Sequence, residues 1–301
     1  MKLLYILLLA TGLQAFEYGL KPVKVSEEIY CFFGKAEVMN KINNGNMVNS
    51  CFIDMKGSWL VVDSGPSFNY AKEATSLIQA IKDQKVSYVV NTHVHDDHWL
   101  GNNFYKKLGA TIIGSHVFST EVDPHEKTRM QAAISKEAFK NTVVTLPNKL
   151  IKSEQTITIN KKDVQLLHLE GEGHSKGDIV VYIPSYKAAF AGDLIFNSRV
   201  LSLRDGNINN WIAILKRLED LNLDYLLGGH GALSDRDSLL LTKKYLVMLK
   251  KSVLLALEND DGIDVAVETI KFKSYEKMPF YHDVHKKNIS KAYQVLEWDS
   301  E

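Results

Sequence analysis

Four candidate metal ligands lie close together in residues 93–98, which read His-Val-His-Asp-Asp-His. Imidazole nitrogen and carboxylate oxygen are ligand types that zinc prefers. The segment follows the apolar run 88–91, which is typical of a buried strand. A turn after that strand would let such closely spaced side chains converge, whereas an extended strand would point alternate ones to opposite faces. The candidate ligands are His93, His95, Asp97 and His98, and Asp96 is predicted to face solvent.

Three further residues could complete the same site. They are His174 in Gly173-His-Ser-Lys-Gly-Asp178, Asp193 in Ala191-Gly-Asp-Leu194 and His230 in Gly229-His-Gly231. Each signal is weak alone, because a single His beside a glycine is more often a surface or core residue. Each of the three, however, is next to glycine at the predicted end of an apolar strand. This shared context favours one site built from all of them.

The elements that would position these residues are short β-rich runs alternating with amphipathic helical runs, which predicts a layered α/β fold. Strands are predicted near 28–33, 50–55, 58–62, 88–91, 155–159, 163–169, 178–183, 187–191 and 225–227, and helices near 69–83, 208–220, 237–257 and 284–297. Asp193 and His230 are predicted in loops that follow strands. Ligand sites of such folds lie at strand ends, so the motifs should meet there.

The composition points to a small-molecule partner. The chain has 301 residues, of which 45% are hydrophobic, and its 36 Lys plus Arg balance its 36 Asp plus Glu. A balanced charge creates no field that would attract nucleic acid or an anionic membrane. No linker or repeat interrupts residues 16–301, which are predicted to form a single domain.

The N-terminus is typical of a secretory signal peptide, because a positive charge at Lys2 precedes the apolar run 3–13 and the small residue Ala15. We therefore expect residues 1–15 to be removed and the protein to be periplasmic or secreted, with no stable membrane insertion after the removal. The alternative is that this segment stays uncleaved as an anchor. Cys31 and Cys51 lie in strand-like runs that could pair. The sequence is therefore compatible both with a disulfide and with two separately buried thiols.

The order of the motifs resembles that of the metallo-β-lactamase superfamily over nearly all of residues 16–301: Asp63 after an apolar strand, His-x-His-x-Asp-His, Gly-His-Ser, Gly-Asp and Gly-His-Gly. The resemblance implies an αβ/βα sandwich of two mixed β-sheets flanked by helices. It also implies that His93, His95 and His174 bind one zinc ion, and that Asp97, His98 and His230 bind a second. Asp193 would bridge the two ions. Asp63 would hydrogen bond to residues 92–98, which we call the metal loop, without touching metal.

Within the superfamily, the stretches 91–95, 191–196 and 205–211 are similar to exported metallohydrolases of sulfur-oxidation and quinoprotein systems. The best-known antibiotic-resistance subclass has Cys where Asp193 stands, whereas a bridging Asp is similar to the glyoxalase II side of the superfamily. β-Lactams are therefore one candidate substrate among several.

The resemblance implies a binuclear zinc hydrolase that cleaves an ester, thioester or amide bond, with zinc-bound hydroxide as the nucleophile. Asp97 and Asp193 are the candidate catalytic carboxylates. Arg199 could anchor an anionic substrate group, or it could form a surface salt bridge instead. The alternatives are a mononuclear iron oxidoreductase similar to persulfide dioxygenases and a non-catalytic metal-binding accessory protein of a periplasmic redox system. Retention of Asp97, His98 and His230 favours two metals over one iron.

Overall fold

A computed structural model describes residues 16–168 and 171–299. The predicted signal peptide lies outside the described residues, as does the last residue of the predicted strand 163–169. The strands of the first sheet are β1 (Val23–Lys24), β2 (Ile29–Phe32), β3 (Ser50–Asp54), β4 (Trp59–Val62), β5 (Val86–Val90), β6 (Thr111–Ser115) and β7 (Lys149–Ile151). They lie side by side in sequence order, antiparallel from β1 to β4 and parallel from β4 to β7.

The second sheet has five strands in the described residues: β8 (Gln155–Ile159), β9 (Lys162–His168), β10 (Ile179–Ile183), β11 (Ala188–Phe196) and β12 (Tyr225–His230). Its spatial order is β12-β11-β10-β9-β8. β11 and β12 are parallel, and the other neighbouring strands are antiparallel. Both sheets are therefore mixed, as the resemblance implies.

The helices are α1 (Phe68–Ile81), α2 (Asp96–Trp99), α3 (Asn102–Lys107), α4 (Phe118–Glu121), α5 (Arg129–Ala133), α6 (Lys136–Phe139), α7 (Ile208–Glu219), α8 (Arg236–Glu258), α9 (Ile263–Thr269) and α10 (Tyr281–Trp298). Several begin at a residue whose side chain accepts a hydrogen bond from a free backbone N–H of the first turn. Ser67 does so for α1, Asn207 for α7 and Asp235 for α8. Among the described residues, no helix is long and apolar enough to cross a membrane.

The two sheets pack face to face, with helices on both outer sides. Side chains such as Ile29, Leu60, Val181 and Phe190 form a core between the sheets. A second core lies between the first sheet and α1 with α3, and a third lies between the second sheet and α7, α8 and α10. Strands covered on both faces should be apolar throughout, and every residue of β3, β4, β10 and β11 is buried. The predicted αβ/βα sandwich is confirmed.

Cys31 and Cys51 are register partners in neighbouring strands, and they form a disulfide across β2 and β3. Of the two states that the sequence left open, the structure has the disulfide. The bond ties β2 to β3, and β3 pairs with β4, which ends directly before Asp63.

The structure corrects the predicted loops at Asp193 and His230, because both residues lie within strands. β11 continues to Phe196 and β12 ends at His230. The β11–β12 register shifts on both sides of Gly192, which has a positive φ of 51°. Such a bulge bends the strand and re-aims the neighbouring side chain, which here is Asp193. Glycine is required there, since a Cβ atom would lie 2.6 Å from the hydroxyl oxygen of Thr92.

Candidate metal centre

Three imidazoles converge at the end of β5. The Nδ1 atom of His95 lies 3.0 Å from Nε2 of His93 and 3.0 Å from Nε2 of His174. The side chains of His93 and His174 are buried, and that of His95 is 16% exposed. Nitrogen ligands of a tetrahedral zinc ion stand about 3.3 Å apart, so the spacing suits a single ion between them. We call these three residues the first triad.

The hydrogen bonds of the first triad leave lone pairs directed at one another. His93 Nδ1 lies 3.0 Å from the hydroxyl of Thr92, which itself donates to Asp63, and His95 Nε2 lies 2.9 Å from an oxygen of Asp205. In the tautomers in which Thr92 and Asp205 accept hydrogen bonds from these rings, His93 Nε2 and His95 Nδ1 both carry lone pairs. A guanidinium nitrogen of Arg204 also lies 3.1 Å from His95 Nε2. Lone pairs that face each other at 3.0 Å repel unless a cation lies between them. The arrangement is therefore suited to a metal ion.

Asp97, His98 and His230 form the second triad. Nε2 of His230 lies 3.3 Å from Nε2 of His98 and 3.3 Å from Oδ2 of Asp97. His230 Nδ1 donates to the backbone carbonyl of Met47 at 2.6 Å, which directs Nε2 into the triad. α2 is one turn long and places Asp97 and His98 on consecutive positions at the end of the metal loop. All three side chains are buried.

Asp193 lies between the two triads. Its Oδ2 atom is 3.4 Å from Nε2 of His174 and 3.2 Å from Nε2 of His230, while Oδ1 is 3.4 Å from Nε2 of His98. In the part of the chain that is described, Oδ1 is buried without a hydrogen-bond partner. A buried carboxylate oxygen with no donor is expected where a cation completes its coordination.

The electrostatics of the site favour positive charge. Burial alone would raise the pKa of Asp193, but the neighbouring imidazoles of His230 and His98 outweigh it and hold that pKa well below its usual value. Burial alone would lower the pKa of His98, yet the carboxylates around it, Asp193 first, raise that pKa to about 10. Negative surroundings that favour a proton also favour a metal cation. His174, in contrast, has its pKa lowered by burial to about 3, which leaves a neutral imidazole suited to ligation.

Asp63 joins the metal loop to the first sheet. One carboxylate oxygen accepts from the backbone N–H of Thr92 at 2.8 Å, and the other accepts from the Thr92 hydroxyl and from His98 Nδ1, each at 2.8 Å. These bonds turn His98 Nε2 towards the second triad, and Asp63 is not in either group of candidate ligands. The geometry is that expected of a carboxylate that orients ligands without touching metal.

Asp96 does not face solvent as predicted. It is buried, accepts a hydrogen bond from the backbone N–H of Met130 at 2.8 Å and binds the guanidinium of Arg129 at 2.6 Å. The same Arg129 nitrogen lies 3.0 Å from Oδ1 of Asp97. α5 therefore packs against the metal loop, and Arg129 occupies the Asp97 oxygen that faces away from the second triad.

We expect Arg129→Ala to weaken metal binding at the second triad by about 10- to 100-fold, because partners that orient a ligand contribute effects of this size. The first triad should keep its metal, since Arg129 does not contact it. Calorimetric zinc titration of the metal-free protein would show one weakened site and one unchanged site. Arg236→Ala, an exposed arginine on α8, is the matched control. Equal weakening of both sites would contradict this role.

Sequence reasoning missed four contacts that hold the candidate ligands: the Met47 carbonyl, Thr92, Arg129 and Asp205. The Met47 carbonyl and Arg129 are distant along the chain from the residues they hold, and no pattern indicates them. Thr92 directly precedes His93, and Asp205 begins the family-like stretch 205–211, so these two carried a signal to which no role was attached. Asp205 is itself paired with Arg204.

Comparisons of the sequence with known proteins point to one family. A family model described as the metallo-beta-lactamase superfamily matches residues 43–230, which include both triads, Asp193 and Asp63. The chain is 27% identical over 229 residues to the metallo-beta-lactamase type 2 of Bacillus cereus, covering 74% of this chain and 78% of that protein. It is 25% identical over 238 residues to that of Elizabethkingia meningoseptica, covering 76% and 87%.

Solved structures share the fold. A metallo-beta-lactamase from Pontibacter korlensis has a TM-score of 0.60 at 20% identity, covering 76% of this chain and 99% of that one. A double mutant of the sec-alkyl sulfatase PisA1 has a TM-score of 0.71 at 16% identity, and the match covers 92% of this chain but 50% of that one. The fold, the arrangement of the His and Asp residues and the family model together place this chain in the metallo-β-lactamase superfamily.

Proposed function

We propose that the protein is a binuclear zinc hydrolase of ester, thioester or amide bonds, β-lactams included. The observation that carries the proposal is the position of Asp193, whose carboxylate contacts both triads. Its Oδ2 atom lies 3.4 Å from His174 of the first triad and 3.2 Å from His230 of the second, and Oδ1 lies 3.4 Å from His98 of the second. Each triad offers three ligand atoms, and one carboxylate between them could serve an ion on either side. In both groups the candidate ligand atoms lie within 4.8 Å of one another.

The donor set supports zinc as the metal. It consists of imidazole nitrogens and carboxylate oxygens, with no thiolate, because both cysteines are joined in a disulfide. Catalytic zinc sites are built from histidine and carboxylate ligands and keep a position open for substrate or water. A mononuclear iron centre needs only one of the two ligand groups. The complete second triad therefore favours the two-metal hydrolase over the oxidoreductase alternative.

Zinc ions held there would lower the pKa of water from about 16 towards 7 and polarise a substrate carbonyl, which supplies the chemistry of hydrolysis. The residues of this chain keep the candidate ligands in the charge state and orientation that this chemistry requires. Burial alone would raise the pKa of Asp97, but the imidazoles of His98 and His230, and after them Arg129, hold that pKa well below its usual value, so Asp97 stays ionised. Asp63 and Asp205 fix the rings of His98 and His95 with the ligating nitrogens pointing inward.

The test is hydrolysis by protein stripped of metal with dipicolinate and then titrated with zinc. Substrates should include a thioester, a carboxylic ester, a chromogenic cephalosporin and, given the fold shared with a sec-alkyl sulfatase, a sulfate ester. We expect no turnover without metal and recovery of turnover with about two equivalents of zinc. If the protein were active with iron alone, with the activity measured as oxygen consumption in the presence of a persulfide, the result would contradict the proposal.

We also propose that the protein is exported and that residues 1–15 are removed. The charge at Lys2, the apolar run 3–13 and the Cys31–Cys51 disulfide support this, since disulfides persist in oxidising compartments. Intact-mass measurement of protein from the native cell envelope or medium should give a chain that begins near residue 16. A full-length mass would contradict cleavage.

A further inference from the structure

The C-terminal helices contact a segment that leads to the metal centre. The match to the family model ends at residue 230, so α8, α9 and α10 lie beyond the matched residues. The segment 197–207 connects β11 to α7, and all of its residues are described, but none of them is in a helix or strand. Leu201 and Leu203 of this segment are buried in the same core as residues of α8 and α10. The path of the segment therefore depends on the helices against which it packs.

Asn288 of α10 binds the backbone of this segment. Its Oδ1 atom accepts a hydrogen bond from the N–H of Leu203 at 2.8 Å, and its Nδ2 atom donates to the carbonyl of Leu201 at 2.8 Å. Buried backbone groups outside helices and strands need such partners, because an unpaired one is costly. Asn288 is 1% exposed, so water does not compete for these bonds. One side chain thus satisfies two backbone groups of the segment.

The orientation of the Asn288 amide is fixed by a third hydrogen bond. Its other N–H donates to the hydroxyl of Tyr245 at 3.0 Å, and that hydroxyl lies 2.8 Å from Nδ1 of His285. Both N–H groups and the oxygen of the amide are therefore used. A carboxylate at this position would place an oxygen against the Leu201 carbonyl, and a leucine would leave both backbone groups of the segment unpaired. The arrangement thus requires an amide side chain.

Two neighbouring contacts hold the start of the same segment. The N–H of Val200 donates to the carbonyl of Pro279 at 3.0 Å, shortly before α10 begins. The guanidinium carbon of Arg199 lies 4.5 Å from the centre of the Phe280 ring, a distance at which a ring face stabilises a cation. Among the described residues, Arg199 forms no ion pair, so the surface salt bridge considered from the sequence is not found. These contacts place the start of the segment, and Asn288 places its middle.

The segment carries Asp205, which orients a histidine of the first triad. The N–H of Gly206 donates to the carbonyl of Leu203 at 3.0 Å, so Asp205 lies in a turn that begins at the residue bound by Asn288. The Oδ2 atom of Asp205 lies 2.9 Å from Nε2 of His95. The Asp205 side chain is 44% exposed, so its position depends on the backbone of the turn more than on packing. Asn288 is therefore linked to His95, and none of these bonds involves the second triad.

We propose that Asn288 is a positioning residue for the first triad. By binding Leu201 and Leu203, it fixes the turn that carries Asp205. Asp205 in turn fixes the ring of His95 with Nδ1 towards the other two ligands. Partners that orient a ligand contribute to metal affinity although they do not touch the metal. The proposal rests on the metal centre of the proposed function but not on the bond that is cleaved. The C-terminal helices are then part of the support of the metal centre.

The test is calorimetric zinc titration of metal-free Asn288→Leu, Asp205→Asn and the double variant. Asn288→Leu should weaken zinc binding at the first triad by about tenfold, the lower end of the range for partners of ligands, because it acts through Asp205. Binding at the second triad should change by less than about twofold. The double variant should bind zinc no more weakly than Asp205→Asn, since the two residues act on His95 in series. Asn288→Asp, which is nearly isosteric, takes the place of the leucine variant if that variant does not fold.

Hydrogen–deuterium exchange of the metal-free protein, followed by NMR, gives a readout that needs neither zinc nor turnover. The amide of Leu203 should exchange about tenfold faster or more in Asn288→Leu, because its acceptor is lost. Tyr293→Phe is the matched control, since Tyr293 also lies on α10 and donates to a backbone carbonyl, that of Asp261 at 3.0 Å. It should change neither the exchange of Leu203 nor zinc binding. Additive losses in the double variant, equal weakening of both triads or unchanged zinc binding would overturn the proposal. If zinc binding changes as expected but no ester is cleaved, only the hydrolase function fails.

Discussion

Replacing Asp193 by asparagine is expected to remove zinc from both triads and to lower hydrolysis by about 100-fold or more, since even partners of a ligand contribute 10- to 100-fold. The change is nearly isosteric, so the fold should survive. A neutral amide cannot bridge two cations as a carboxylate does, and it would direct an N–H group at one of them. Elemental analysis and the ester assay on the same preparation would measure both losses together.

Asp224→Asn is the matched control for this variant. Asp224 is 57% exposed and lies 3.5 Å from Lys187, so its replacement should change neither zinc content nor turnover. Asp96 is closer to the ligands but is unsuitable, because it binds Arg129 and the N–H of Met130. If Asp193→Asn keeps two zinc ions and normal turnover, Asp193 is not a bridging ligand.

The second large effect is expected for Asp63→Asn. The amide has one acceptor in place of two, so its NH₂ group would face a donor, either of Thr92 or of His98. Zinc affinity at the second triad should fall by about 10- to 100-fold, and the free energy of unfolding by about 1–3 kcal/mol. Asparagine tolerates the positive φ of 59° at this position, so backbone strain would not confuse the result.

Asp54→Asn separates a loss of stability from a loss of metal binding. Asp54 is also buried, on β3, and it accepts hydrogen bonds from Lys82, Gln84 and the N–H of Lys56. Its replacement should lower stability without changing zinc content. Urea unfolding and zinc titration of both variants measure the two quantities. Loss of zinc from both variants in proportion to stability would contradict a specific orienting role for Asp63.

Local patterns predicted most of the fold, because the strands and helices that bury an apolar face carry a clear periodicity. The strand 155–159 and the helix 208–220 were placed to within one residue of β8 and α7. β1, β6 and β7 were missed. β1 and β7 are short and largely exposed, and the five residues of β6 are buried after the first and show no alternation. The ends of β11 and β12 were misread, since glycines next to Asp193 and His230 indicate a loop, whereas here they permit a bulge and close strand packing.

The candidate ligands were predictable because close spacing and glycine-flanked strand ends mark them locally. Their partners were not, since Arg129 reaches Asp97 from α5 and the Met47 carbonyl reaches His230 from across the chain. The guanidinium of Arg199 lies over the ring of Phe280, 81 residues later, and this contact forms only in the folded chain. Such contacts arise from tertiary packing between residues far apart along the chain, so no local sequence pattern indicates them.

The measurement that tests the central claim most directly is the metal content of the mature protein, purified from its native source without chelator. Two groups of candidate ligands, one of which contains Asp193 within 3.4 Å of the other, predict close to two zinc ions per chain by elemental analysis. About one iron per chain without zinc would contradict the binuclear zinc centre and favour the oxidoreductase alternative.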